Sequence, residues 1–276
     1  MDKIKVMVNG LPGNMATVVV RHVIAGEAFE LVPHSLTGPE ICEAFCQVED
    51  FRVALIRPEQ REAAMDEVVR AYGPFVSVDY THPSAINANA DYYCRHHLPF
   101  VMGTTGGDRE ALSRAVTASA TAAVIAPNMA KQIVGLQAMM AHAAEKFPGL
   151  FAGYRLAVRE SHQKGKADTS GTAKAIVGHF NALGIPFSEG QIQMERDPER
   201  QATVWGVPPE HLAGHAWHTY ALTSADGTVH FEFTHNVNGR QIYAAGTLDA
   251  VRYLHAKLGQ GARGRVFSMI DVLKGA

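Results

Sequence analysis

Short apolar runs that end in glycine or small polar residues recur through the first half of the chain. Ile4-Lys-Val-Met-Val8 predicts a strand, and Asn9-Gly10-Leu11-Pro12-Gly13-Asn14-Met15 turns it into a helix over 15–25, closed by Gly26. Phe29-Glu-Leu-Val-Pro33 predicts a second strand. Further strands are predicted at 76–81, 100–103 and 123–126, followed by His82-Pro83, Thr104-Thr105-Gly106-Gly107 and Pro127-Asn128. Strand, glycine turn, helix and strand within about 30 residues form a dinucleotide-binding unit. Gly10 and Gly13 would let the backbone approach a pyrophosphate seated on the helix N-terminus. The second strand ends in Pro33-His34-Ser35-Leu36-Thr37, with no carboxylate to repel a ribose 2′-phosphate. That favours the phosphorylated nicotinamide cofactor, with His34 and Ser35 as contacts, unless the turn is simply solvated.

The second half changes period. A strand is expected within 150–158, with Tyr154, Leu156 and Val158 on one face and Arg155 and Arg159 on the other. Further strands are expected at 191–194 and 203–205. Trp217–Leu222 and Val229–Phe233, joined by Ser224-Ala-Asp-Gly227, predict a hairpin. The pattern reads as four antiparallel strands in a row. Leu248, Val251, Leu254 and Leu258 have helical spacing and predict a closing helix that returns to the first lobe. The fold class expected is α/β. A Rossmann-like dinucleotide-binding domain (1–128 and 239–276) accompanies an α+β domain (129–238) with a mainly antiparallel four-stranded sheet for substrate binding and oligomerisation.

Between those strands lies Glu160-Ser-His-Gln-Lys-Gly-Lys-Ala-Asp-Thr-Ser-Gly-Thr172, the densest chemistry in the chain. His162 and Lys166 are proton-transfer groups, and Ser170-Gly171-Thr172 opens a helical run over 173–183. Free backbone N–H groups at a helix start suit a carboxylate or phosphate. The segment describes a pocket that holds a small anion and moves protons on it.

At 276 residues, 47% of them apolar, two unequal lobes with a sizeable core are expected. A net charge of −2 with no basic block argues against nucleic-acid binding. The three cysteines suggest a reducing compartment without a disulfide framework. Cys42 and Cys46 are four apart and read as a buried pair on one helical face. Met1–Val6 enters a strand at once, leaving no room for a signal peptide. The run 115–126 is too short to span a bilayer, so a soluble cytosolic protein is expected. His96-His97, His211, His215 and His218 match no helix-borne zinc spacing, and no metal is expected.

The order of motifs resembles the dihydrodipicolinate reductase family, specifically its plant-type branch. The likeness runs through Val6–Gly10, Val78–Thr81 with Pro83-Ser84, Phe100–Arg109, Lys131-Gln132, Glu160–Gln163, Asp168–Ala175, Gly214–Ala216, Phe231–Phe233, His235-Asn236 and Gly239-Arg240. The resemblance implies an NADPH- or NADH-dependent reductase of the diaminopimelate route to lysine, acting as a homodimer or homotetramer on a cyclic imine with two carboxylates. His162 would be the general acid/base and Lys166 the proton donor. Ser170, Gly171 and Thr172 would grip a carboxylate with help from Arg240, and Gln163 stands where the common bacterial form has a second His. The cofactor would lie on Gly10, Leu11, Pro12, Gly13, Asn14 and Met15, on Gly103, Thr104 and Thr105, and on Ala126, Pro127, Asn128 and Met129. The nucleotide turn departs from the family: a basic residue followed by Met-Gly is usual where this chain has Asn14-Met15-Ala16, and Pro12 removes a backbone N–H. Two other readings fit the same build: a reductase of another cyclic imine or enamine, or a non-catalytic nucleotide-binding protein.

Overall fold

The computed structural model describes residues 2–275, so Met1, at the head of the first predicted strand, lies outside them. The chain opens with β1 (Ile4–Asn9), α1 (Asn14–Ala25), β2 (Phe29–Leu31), β3 (His34–Leu36), β4 (Phe45–Val48) and β5 (Phe51–Ile56). Next come α2 (Arg61–Tyr72), β6 (Val76–Asp79), α3 (Ile86–Arg95), β7 (Phe100–Met102), α4 (Arg109–Thr117) and β8 (Ala122–Ile125). The middle of the chain contributes α5 (Lys131–Lys146), β9 (Arg155–His162), α6 (Gly171–Ala182), β10 (Gln193–Glu195), α7 (Pro198–Thr203), β11 (His215–Thr223) and β12 (His230–Asn238). It closes with α8 (Gln241–Gly259), β13 (Arg265–Phe267) and α9 (Met269–Lys274). Two compact units result: 1–131 with 241–276, and 132–240.

The first unit is built on a six-stranded parallel sheet in the order β13-β8-β7-β6-β1-β2. Strands covered on both faces are apolar throughout rather than alternating, as Val6, Met7 and Val8 and the trio Phe100–Met102 show, each at 1% exposure or less. β2 stops at Leu31 because Pro33 has no N–H to continue the ladder. The chain then starts a separate three-stranded sheet, β3-β5-β4. At the end of β1, Gly10 adopts φ 106°, and a Cβ there would lie 2.3 Å from the Tyr80 carbonyl oxygen. Only glycine fits that approach. α8 packs against α1 and β6–β8, and Gly246 lets it touch the backbone of Met129, whose carbonyl a Cβ would overlap.

The second unit carries a four-stranded sheet, β10-β9-β11-β12. β9–β11 and β11–β12 are antiparallel, but β10 runs parallel to β9, so the sheet is mainly rather than wholly antiparallel. The hairpin forms where the Asp-Gly signal placed it. Asp226 accepts from Ser224 Oγ and from the Thr228 N–H and hydroxyl, which hold its carboxyl down at about 2. Val158, Ile176, Val177, Phe180, Tyr220 and Leu222 form the core between α6 and the sheet.

Three local expectations are corrected. Residues 203–205 are not a strand: Pro198 at the first turn and Asp197, whose side chain caps Glu199 N–H, start the short α7 instead. Cys42 and Cys46 share no helix; Cys42 is exposed in a loop and Cys46 half-buried in β4, where alternation replaces helical spacing. The strand sought at 150–158 begins only at Arg155 and runs on to His162.

Candidate active site

The inward face of β9 passes from apolar to chemical: Leu156, Val158, Glu160, His162. Register sets Glu160 opposite His218 and His162 opposite Ala216 on β11, with His235 of β12 beyond His218. Glu160 is fully buried. Its Oε1 accepts from Arg196 Nη2 and its Oε2 from the Ser170 N–H at 3.0 Å. Arg196 also donates Nε–H to the Lys166 carbonyl at 2.8 Å. One guanidinium thereby ties β9 to the loop that carries Lys166 and to the start of α6.

His162 is 7% exposed. Burial, with the positive charges of Arg196 and Lys166, pushes its pKa down to about 4, partly offset by a backbone hydrogen bond with His215. The ring is therefore neutral near pH 7, and a doubly anionic ligand beside it would draw it back towards the charged form. Lys166 N–H donates to the Gln163 carbonyl at 3.0 Å, closing a turn, and its ammonium pairs with Asp168 Oδ1 at 2.7 Å. Asp168 is 80% exposed at its side chain, so an arriving carboxylate meets a partner it can replace.

At the start of α6, Ser170 is the N-cap and makes no side-chain cap, and the first main-chain donors have no intrahelical acceptor. Gly171 is exposed and Thr172 half-buried. Gln163 is half-buried at the end of β9. Arg240 lies beside Gly214, whose Cβ would stand 3.3 Å from Nη1. Because His215 pairs with Asn238 and Ala216 with His162, Arg240 sits at the same end of the sheet as His162. Glu160, His162 and His218 also bring one ligating atom each within 4.8 Å of one another. The Arg196 guanidinium already neutralises that carboxylate and would repel a dication, so the cluster is poorly suited to hold one.

In the first unit, Gly10, Leu11, Pro12, Gly13 and Asn14 line a cavity of about 820 Å³. Gly13 caps α1 without a side-chain bond, leaving main-chain donors at the helix start. A glycine-opened helix end beside a cavity of this size fits a dinucleotide phosphate. Met15 is half-buried beside it. Gly103, Thr104, Thr105, Ala126, Pro127, Asn128 and Met129 follow β7 and β8 at their carboxyl ends, outside this cavity's lining. A Cβ on Gly103 would strike the Tyr80 ring at 2.4 Å. Thr104 is buried, its hydroxyl donating to the Asp79 carbonyl, whereas Thr105 is exposed. Ala126 and Met129 are buried, Pro127 is exposed, and Asn128 Oδ1 accepts from Ala130 N–H at 2.9 Å.

His34 and Ser35, the expected 2′-phosphate contacts, are not among the residues lining this cavity. Ser35 is fully buried, its Oγ accepting from Leu11 N–H at 3.2 Å and donating to the Leu36 carbonyl, so it braces the turn from behind. His34 is half-buried with its ring centroid 5.5 Å from that of Tyr72. The cavity wall there is made by Leu36, Thr37, Gly38, Pro39, Glu40 and Ile41, with Arg61. One carboxylate, Glu40, and one guanidinium, Arg61, thus stand on the same cavity wall. Sequence reasoning also missed Arg196, His218 and the buried Glu160. Continuing the Leu156–Val158 alternation two steps would have found Glu160 and His162 as inward positions, but Arg196 and His218 carried no local signal.

Residues 4–129 match the dihydrodipicolinate reductase N-terminal family and residues 132–273 its C-terminal family. A 4-hydroxy-tetrahydrodipicolinate reductase 2, chloroplastic, of Arabidopsis thaliana is 47% identical over 271 residues, covering 98% of this chain and 77% of that protein. A probable 4-hydroxy-tetrahydrodipicolinate reductase 1, chloroplastic, of rice is 45% identical over 269 residues, covering 98% and 78%. The solved dipicolinate-bound dihydrodipicolinate reductase from Paenisporosarcina has the same fold, with a TM-score of 0.67 at 19% identity over 96% of this chain and 97% of that one. The plant names overturn the cytosolic expectation, since they point to the plastid. Two family matches that together span nearly the whole sequence, with relatives this similar, place the chain in the dihydrodipicolinate reductase family.

Proposed function

We propose that the chain reduces 4-hydroxy-tetrahydrodipicolinate to tetrahydrodipicolinate, the lysine-pathway step for which its relatives are named. Reduced nicotinamide and one proton are consumed, and oxidised nicotinamide and the 4-hydroxyl, as water, are released. The observation that carries this reading is the union of His162, Lys166 and the open start of α6 in one loop tied together by Arg196. The nicotinamide, when bound, supplies the hydride. The α6 donors at Gly171 and Thr172 hold one substrate carboxylate, with Ser170 as cap, Gln163 alongside and Arg240 at the same sheet end. Lys166 exchanges Asp168 for the substrate and delivers the proton, and the neutral ring of His162 accepts or returns one as charge builds on the heterocycle. An assay of cofactor oxidation with the pathway imine generated in place, and product identification, tests this; oxidation with a different cyclic imine alone would reassign the substrate.

The nucleotide cavity presents both Glu40 and Arg61. A carboxylate favours a free ribose 2′-hydroxyl and a guanidinium favours a 2′-phosphate, so the chain uses both cofactors. Glu40→Ala is expected to shift the kcat/KM ratio towards NADPH, and Arg61→Ala towards NADH, each by about tenfold, the scale of one charged hydrogen bond. Unchanged ratios in both variants would contradict this. The protein acts in a plastid, as its plant relatives' names indicate. It assembles as a homodimer or homotetramer, a reading supported by Phe231 and Phe233, exposed at 42% and 38% on the edge strand β12.

A further inference from the structure

His218 has no part in the chemistry above, yet its Nε2 lies 3.3 Å from Nε2 of His162, and 3.9 Å from Glu160 Oε2. Two imidazole nitrogens that close share one hydrogen: one ring carries it and the other offers a lone pair. The surroundings decide which. His218 Nδ1 is buried without a partner, and an orphaned N–H is rarer in folded proteins than an unmatched acceptor. The Glu160 carboxylate favours a hydrogen, not a lone pair, on the His218 nitrogen nearest to it. Both observations put the hydrogen on His218 Nε2, directed at His162.

We infer that His218 is a positioning residue: it donates Nε2–H to His162 Nε2 and so holds that ring in its neutral Nδ1–H tautomer. The Nε2 lone pair of His162 is thereby engaged by His218 and the ring held in one orientation until substrate arrives. When His162 takes up a proton on Nε2, the two hydrogens oppose each other and the contact opens, coupling proton transfer to movement of the second ring. The groups facing His218 are Glu160 and His162 from β9, Tyr220 from its own strand and His235 from β12, whose ring stacks at 4.6 Å. Burial above all, with His235 and His162 and the positive charges of Arg196 and Lys166 on the loops, keeps His218 neutral.

This inference rests on His162 as the acid/base group, so His162→Ala is assayed in parallel. Two variants are compared with the wild-type enzyme in the presence of a chelator: His218→Phe, which keeps a ring but removes the N–H, and His218→Gln, which restores a donor. Nitrogen-15 NMR of the imidazoles reads the tautomer in the wild type directly, whether or not a variant folds. The expected results are an Nδ1–H tautomer at His162 and a loss of kcat of about 10- to 100-fold in His218→Phe, the scale for groups that orient a functional histidine. The KM for the cofactor stays unchanged, the acidic limb of the pH profile is altered, and His218→Gln recovers most activity. An Nε2–H tautomer at wild-type His162, a His218→Phe enzyme with unchanged kcat and pH profile, or activity that depends on chelatable metal overturns the inference. Full activity in His162→Ala overturns instead the reading on which it rests.

Discussion

His162→Ala is expected to lower kcat by about 10²- to 10⁴-fold, the range for removal of a positioned acid/base, while nucleotide binding is unchanged. The expectation follows from where the ring sits. It is buried at the end of β9, next to the loop carrying Lys166, and belongs to a different compact unit from the nucleotide cavity. Its loss removes a proton-handling group and leaves every donor on the glycine turn in place. Cofactor affinity measured by fluorescence titration, alongside steady-state rates, separates the two effects. Near-wild-type kcat removes His162 from the mechanism, and weakened nucleotide binding would place it elsewhere.

The same buried ring gives a pH signature in stability. His162 has a pKa near 4 in the folded protein against an ordinary 6.5. Between those values the unfolded chain binds the proton and the folded chain does not. The stability that depends on a neutral ring is therefore complete above pH 6.5 and is lost as pH falls towards 4. His218 is lowered in the same direction and steepens the loss. Denaturant midpoints across that window check it, and His162→Ala is expected to flatten the slope.

Arg196→Leu is expected to destabilise the second unit by about 3–5 kcal/mol, the cost of leaving one member of a buried ion pair alone. Glu160 is fully buried and the Arg196 side chain 18% exposed, so little water can replace the guanidinium. The Ser170 N–H remains on Glu160 but cannot balance a full charge. The Arg196→Leu/Glu160→Gln double variant should recover much of the loss, because the uncompensated charge disappears with it. Urea unfolding of both measures the difference, and equal destabilisation of single and double variants would show that Arg196 acts through its loop contacts with Lys166 and Asp168 instead.

Features written in neighbouring residues were readable from the sequence. The glycine turn after β1 and the Asp-Gly hairpin depend on local backbone demands, and Ser170–Thr172 marked the start of α6 correctly. The parallel sheet followed from repeated apolar runs with polar tips. What escaped depends on pairing between distant segments. His218 meets His162 across 56 residues of sequence, and Arg196 meets Glu160 across 36. Glu40 reaches the nucleotide cavity because the chain leaves the parallel sheet after Val32 and enters the small β3-β5-β4 sheet, which no period in 33–56 announced. Helical spacing of Cys42 and Cys46 misled for the same reason: two positions four apart do not define a period.

Reduced nicotinamide bound by this chain is expected to give its hydride to C4 of the lysine-pathway heterocycle. Cofactor deuterated at the transferable position, incubated with enzyme and imine generated in place, tests it by mass spectrometry and NMR of the product. One deuterium at C4 is expected for each cofactor oxidised. Product without the label, or cofactor oxidation that proceeds equally without the imine, would contradict it.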